Sequence, residues 1–236
     1  MIAPSYHRVS ALPQRWWLAS GMGDLDAKRT VRLGYDSASL LYRGDDDFPE
    51  PYVEWIARLK QSAPPGAQLL DLGCGCGVPV AKELSRHGTF VTGVDISDVQ
   101  IARARRLVPG ATFVAADIAE VSFALASFEA VCSFYALIHL PHDEQRRVID
   151  RIGQWLKPGG VFMATVGHTA WTGEEPRWLG GNAAMWWSHP DEATYRSWIE
   201  SAGMEVHDQL FIPEGSSGHT LFVAARPSTK RPDMPL

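Results

Sequence analysis

The chain is poor in the features that mark several large functional classes. Its 236 residues include three cysteines, Cys74, Cys76 and Cys132, too few for a disulfide framework. Cys74 and Cys76 sit one residue apart inside a run of glycines, without the second ligand pair that zinc takes, so no metal site is expected. No basic cluster exceeds Arg103, Arg105 and Arg106, and the formal net charge is -5; a nucleic-acid binder would carry a basic face. Those three arginines read as the solvated side of a helix. No apolar run approaches the ~20 residues that span a bilayer. The first 20 residues, with Pro4, Arg8, Pro13, Arg15 and Trp16-Trp17, lack the apolar core of a signal peptide. The expectation is a cytoplasmic protein, monomer or homodimer, with a small-molecule substrate and neither membrane nor nucleic acid as partner.

What is present is an ordinary globular composition, 45% apolar and 21% charged, in a length that suits one full core plus a small cap. Residues 24–44 carry Leu33, Leu40 and Leu41 at helical spacing, and residues 51–62 form a second helix with Val53, Ile56, Ala57 and Leu59 as its apolar face. Pro64-Pro65-Gly66 then breaks the pattern, and strands begin to alternate with helices. Strands are expected at about 67–72, 90–94, 112–116, 128–134 and 161–166. The intervening helices are expected at about 78–87, from Ser97 with capping-box spacing to Gln100, and from Asp143 to Leu156, ended by Lys157-Pro158-Gly159-Gly160. This rhythm implies a parallel sheet with helices on both faces. Residues 168–190 interrupt it as a long loop, before a helix from 191 and two antiparallel strands at about 204–212 and 219–225. The expected division is a helical cap over 1–65, a main domain over 66–226 with an insertion at 168–190, and a tail over 227–236.

One segment points to a ligand. In Leu69-Leu70-Asp71-Leu72-Gly73-Cys74-Gly75-Cys76-Gly77 an apolar strand closes on an acidic residue and runs into three alternate glycines before a helix. Glycine lets a ligand approach the main chain, and a loop opening a helix offers free N–H groups. The dinucleotide fingerprint needs a third glycine at position 78, which is Val78, and no Gly-Lys-Ser/Thr ending marks a phosphate loop. Asp95 ends the second strand, where a carboxylate can accept hydrogen bonds from ribose hydroxyls.

The set of motifs resembles the class I S-adenosylmethionine-dependent methyltransferases over residues 66–225. The matching segments are the glycine loop, Gly93-Val94-Asp95-Ile96-Ser97, Ala116-Asp117-Ile118, Phe128-Glu129-Ala130-Val131 and Leu156-Lys157-Pro158-Gly159-Gly160, in the family's order. Glu129 stands where the family often has Asp. The resemblance implies a Rossmann-like α/β fold: a seven-stranded, mostly parallel sheet with an antiparallel last strand, helices on both faces and an N-terminal helical cap. It implies S-adenosylmethionine as cofactor and S-adenosylhomocysteine as product. Gly73 and Gly75, with Cys74, would lie under the methionine part, Asp71 near its ammonium, Asp95 on the ribose and Asp117 on the adenine amine. Ile96 and Ile118 would pack the ring faces, and Tyr35, Tyr42 and Phe134 would complete the contacts.

The implied activity is methyl transfer to oxygen, nitrogen, sulfur or carbon of a small molecule, plausible in secondary metabolism. The alternatives are non-methylating, cyclase-like chemistry with the same cofactor, or a cofactor-sensing module. Ligands in open α/β sheets lie beyond the carboxyl ends of the strands, which makes His139, His168, His219 and Glu214 the candidate proton acceptors. The 168–190 insertion holds Trp171, Trp178, Trp186 and Trp187 with Met185, more aromatic surface than an exposed loop normally carries. Trp171, Trp178, Met185 and Trp186, with Tyr135, are therefore the candidate acceptor contacts, as a lid over a flat apolar molecule or as the loop's own small core.

Overall fold

The computed structural model describes residues 24–228 apart from residue 216. Trp16-Trp17, the first part of the expected cap and the end of the expected tail lie outside the described residues. The N-terminal helices are α1 (Asp24–Tyr42) and α2 (Glu50–Ser62). Then come β1 (Gln68–Leu72), α3 (Val80–His87), β2 (Phe90–Asp95), α4 (Asp98–Leu107), β3 (Thr112–Ala115), β4 (Phe128–Phe134), α5 (His142–Trp155) and β5 (Leu156–Gly167). The chain continues through β6 (Trp171–Glu175), β7 (Met185–His189), α6 (Glu192–Ser201), β8 (Glu205–Glu214) and β9 (Ser217–Ala225).

Seven strands form one sheet in the order β3-β2-β1-β4-β5-β9-β8. The first five are parallel neighbours, and β9 runs antiparallel between β5 and β8. The strands read as unbroken apolar runs because both faces are covered. Leu69 packs with Trp55, Leu59 and Leu84 on the α2–α3–α4 face, whereas Leu70 and Leu72 pack with Ile149, Ile152 and Tyr195 under α5 and α6. Strand order reverses where β1 lies between β2 and β4, which opens a crevice at the carboxyl ends. The glycine loop after β1 sits at that crevice.

Several local expectations change. The leucines of α1 do not mark its packed face: Leu33, Leu40 and Leu41 are exposed, and Ala27, Lys28, Val31 and Ala38 are buried instead. In α2 the packed face is Tyr52, Trp55, Ile56 and Leu59, with Val53 and Ala57 turned to solvent. Arg103 is not on a solvated side. It is buried and donates to the Ser39 and Arg43 carbonyls and to Asp45; Arg105 and Arg106 are exposed. Leu156 opens β5 rather than closing α5. Ser97 caps α4 by accepting from Gln100 N at 3.0 Å, but the Ser97 N–H goes to Asp95 instead of the Gln100 side chain. Glu129 accepts from the Gln68 N–H at 2.7 Å and from Lys157, tying the starts of β1, β4 and β5.

Residues 168–190 are not a loop but an antiparallel hairpin, β6 with β7, plus a short 3-10 turn at Trp178–Gly180. Its buried Trp178 and Met185 meet Val31 and Ala38 of α1. The two elements approach closely at Gly34, where a Cβ would fall 2.6 Å from Met185 Cε and 2.7 Å from the Ala184 carbonyl oxygen. Gly34→Ala adds about 1 kcal/mol of helix propensity but forces the hairpin off α1 at a cost of roughly 1–3 kcal/mol. The expected result is a net loss of stability in urea unfolding and a changed tryptophan emission; a more stable variant with unchanged emission contradicts this contact.

Candidate functional site

The site is built on the loop that joins β1 to α3. Gly73 N and Cys74 N donate to the Val94 carbonyl at 2.7 and 3.0 Å, which hangs the loop on the end of β2. Asp95 completes the tie, its Oδ2 accepting from Gly75 N at 2.8 Å and its Oδ1 from Ser97 N at 2.9 Å. Gly73 has φ +77 and a Cβ there would strike Ala136. Gly75 has φ +54 with nothing within 4 Å of the Cβ position, so the space above it is left for a ligand.

That space is a cleft of about 580 Å³, open to solvent. Gly73, Gly75, Asp95, Ile96, Asp117 and Ile118 line it from the sheet loops, and Phe134, Tyr135, Ala136 and His139 from the segment after β4. Helix α1 supplies the remaining wall with Lys28, Val31, Tyr35 and Tyr42. A second cavity of about 400 Å³ shares Tyr42, Gly73, Gly75 and Phe134 with the first and adds Asp71, Cys74, Arg43 and Gln100. The structure therefore brings all eleven expected cofactor contacts to two adjoining cavities.

The second cavity holds charges of both signs. Asp71 is buried, and burial pushes its carboxyl up to about 7 against the hydrogen bond that Cys132 Sγ donates to it. Arg43 lies over the Tyr42 and Tyr52 rings at 5.3 and 5.1 Å. Gln100 accepts from the Ser39 hydroxyl through Oε1, while its buried Nε2 has no partner among the described residues. An anion facing Arg43 and Gln100, with a cation facing Asp71, is the charge pattern of a free α-amino acid end. Asp95 is likewise pushed up, to about 6, by burial, against the pull of the Ser97 and Gly75 N–H bonds.

His139 sits at the opposite end of the first cleft in a defined tautomer. Its Nδ1 is 2.7 Å from the Trp186 carbonyl oxygen, an acceptor only, so Nδ1 carries the proton. Its Nε2, 3.0 Å from Tyr35 Oη, then accepts the tyrosine proton. Burial holds His139 down at about 4, helped by the fields of His219 and His189, so the imidazole is neutral. Tyr135, at φ +60, donates its N–H to Thr165 Oγ1 at 2.6 Å and its hydroxyl to Glu214 at 2.7 Å. His219 Nδ1 is 3.2 Å from the other Glu214 oxygen. Burial works against the Glu214 charge, but His219 and Tyr135 hold its pKa below the usual carboxylate value.

The other candidates are more distant. His168 does not line the cleft; its Nδ1 meets Glu192 and the buried Thr220 at 3.0 and 3.1 Å. Trp178 and Met185 are buried behind α1, with Trp178 5.0 and 5.5 Å from the Tyr35 and Tyr42 rings. Trp186 contributes its carbonyl to His139, and Trp171 is 48% exposed on the outer side of the hairpin. Among the described residues no group of three or more His, Cys, Asp or Glu is placed to hold a metal ion. No helix there is long and apolar enough to cross a membrane.

Sequence reasoning missed Lys28, Arg43 and Gln100. Lys28, Val31, Tyr35 and Tyr42 recur at steps of three, four and seven, a helical stripe that was there to find. The leucines of α1 masked it. Arg43 and Gln100 gave no signal, because their meeting depends on how α1 docks on α4.

Comparison with known proteins agrees with this geometry. A methyltransferase domain family matches residues 69–160. The ubiquinone biosynthesis O-methyltransferase of Xanthomonas axonopodis pv. citri is 29% identical over 216 residues, covering 85% of this chain and 80% of that protein. Other curated relatives match over 104 to 174 residues, and the chain spans only 27% to 52% of their length. Among solved structures, the 1,6-didemethyltoxoflavin-N1-methyltransferase of Burkholderia thailandensis, with S-adenosylhomocysteine bound, has a TM-score of 0.66 at 20% identity, covering 89% of this chain and 93% of that one. The cyclase SpnF has a TM-score of 0.64 at 18% identity, covering 84% and 95%. At these identities the structural likeness concerns the fold alone.

The buried carboxyls make a test. Asp71 and Asp95 bind protons more tightly folded than unfolded, so their contribution to stability is full below about pH 4 and is lost as pH rises through their folded values of about 7 and 6. Asp71→Asn removes one share of this loss. The ligand-free variant is expected to be more stable than the parent at pH 8, by roughly 1–3 kcal/mol, and little different at pH 4. Urea unfolding at both pH values measures it, and an equal difference at the two contradicts a buried charge at Asp71.

Proposed function

We propose that the chain, as a class I S-adenosylmethionine-dependent methyltransferase, methylates a hydroxyl group of a small aromatic molecule. Bound S-adenosylmethionine supplies an electrophilic methyl group on a sulfonium. Asp95 takes the ribose hydroxyls, Asp117 the adenine amine, and Ile96 and Ile118 the ring faces. Asp71 takes the ammonium, with Arg43 and Gln100 on the carboxylate. Gly73, Cys74, Gly75 and Phe134 form the floor, and Tyr42 closes it beside Tyr35.

The observation that carries the acceptor reading is the Tyr35–His139 pair on the cleft wall. Tyr35 donates to His139 Nε2, so its oxygen presents lone pairs to a hydroxyl in the cleft. As the acceptor oxygen takes the methyl group, its proton passes to Tyr35 Oη and the tyrosine proton to Nε2. The C–S electron pair leaves with S-adenosylhomocysteine. The Trp186 carbonyl holds the imidazole in the tautomer this requires. Orientation of the two reactants within the cleft supplies most of the acceleration. Tyr135, with Glu214 and His219 behind it, forms the far polar edge of the acceptor space. Trp178 and Met185, buried against α1, fix the hairpin behind the cleft, so that it brings the Trp186 carbonyl to His139. An O-methyltransferase over most of its length in the related Xanthomonas protein supports oxygen as the acceptor atom. A cytoplasmic monomer or homodimer suits a small diffusible substrate.

Methyl-labelled cofactor and a panel of hydroxylated aromatics test the reading. A mass-shifted product with stoichiometric S-adenosylhomocysteine is expected, and a converted but unshifted product indicates cyclase-like chemistry instead. His139→Ala is expected to lower kcat by about 10²-fold while cofactor affinity is retained. An undiminished kcat removes the relay.

A further inference from the structure

Lys28 is a charged side chain with 8% exposure in the wall of the cofactor cleft. Its Nζ lies 2.6 Å from Asp117 Oδ2 and donates to the two Glu144 oxygens at 2.9 and 3.0 Å. Three elements meet at this ammonium: α1, the loop after β3 and the first turn of α5. Asp117 Oδ1 accepts from Ala119 N at 2.8 Å, so the carboxylate is fixed at both oxygens. Each oxygen keeps a second lone pair for a donor within the cleft.

Helix α1 presents Lys28, Val31, Tyr35 and Tyr42 to the cleft as a single stripe. The seven residues from Lys28 to Tyr35 span roughly 10 Å of helix, and a helix transmits a displacement along its axis with little bending. At one end of this span Lys28 holds Asp117. At the other, Tyr35 is 3.0 Å from His139. The same helix therefore touches the residue that would read the purine and the residue that would take the acceptor proton.

We propose that Lys28 is a positioning residue that couples purine recognition at Asp117 to the placement of Tyr35 against His139. The proposal rests on the methyl-transfer reading above. A buried ion pair that merely anchored α1 would change stability on removal and leave the relay energetically independent of it. Coupling predicts that the two ends of the helix are not independent.

A double-mutant cycle in the full chain separates these cases. Lys28→Met is expected to weaken S-adenosylmethionine binding by roughly ten-fold and to lower kcat by a similar factor. In the Tyr35→Phe background the same change is expected to weaken binding but no longer to lower kcat, since the group it positions is gone. Thermal unfolding run alongside confirms that each variant is folded. If Lys28→Met fails to fold, Lys28→Arg, which keeps the charge and shifts the donors, reads the same cycle. Losses in kcat that multiply fully in the double variant overturn the coupling while leaving the relay standing. A Tyr35→Phe enzyme as active as the parent overturns the relay itself, and the coupling with it.

Discussion

The site depends on the bond between the Asp95 carboxylate and the backbone of the glycine loop. Oδ2 holds Gly75 N and Oδ1 holds Ser97 N, so one side chain at the end of β2 fixes the ligand loop and starts α4. Ser97 passes the constraint on, its hydroxyl donating to Asp36 of α1 at 2.6 Å. Sheet, loop, helix and cap are thereby registered to a single carboxylate. Burial of that charge is costly, and the two charge-assisted N–H bonds offset part of the cost. A neutral or longer residue at position 95 would lose the loop before it lost any ligand.

Helix α1 has two interfaces of opposite character. Against the main sheet domain its contacts are polar: Lys28 with Asp117 and Glu144, Asp36 with Ser97, Ser39 with Gln100 and Arg103. Against the hairpin they are apolar, with Val31 and Ala38 packed on Trp178 and Met185. Water can replace polar contacts one for one, whereas separating the apolar surfaces exposes them outright. The seam that yields more easily therefore runs between α1 and the sheet domain, across the cofactor cleft.

The order of strands and helices was legible because it depends on local patterning. The runs at Leu69–Leu72 and Phe128–Phe134 and the stop at Pro64-Pro65-Gly66 each act within a few residues. The lining of the cleft was legible for the same reason, since Gly73, Gly75, Asp95 and Asp117 lie at strand ends whose position follows from the fold. What failed was the reading of faces. In α1 the leucine spacing does not mark the packed side: Leu40 and Leu41 are 67% and 68% exposed, because Gln100 and Arg103 of α4 and Glu144 of α5 give Ser39 and Lys28 buried polar partners. A hydrophobic stripe predicts burial only where the facing surface is apolar. The hairpin at 171–189 was hidden by its tryptophans, whose spacing suits a lid and a strand equally.

The acceptor end was least legible, and the reason is that its parts act through main-chain groups. The tautomer of His139 is set by the carbonyl of Trp186, and any residue at position 186 would supply that atom. Its basicity is set by burial under α1 and β7 rather than by a carboxylate partner. A neutral imidazole without a negative partner is a weak base. In the proposed reaction such a base is enough, because the acceptor oxygen's proton becomes strongly acidic only while the new bond to carbon forms. In the same proposed arrangement a neutral His139 does not oppose a cationic ligand, as a protonated one would. On the proposed reading the buried carboxyls Asp71 and Asp95 serve the cationic ligand, and the neutral His139 serves the departing methyl group.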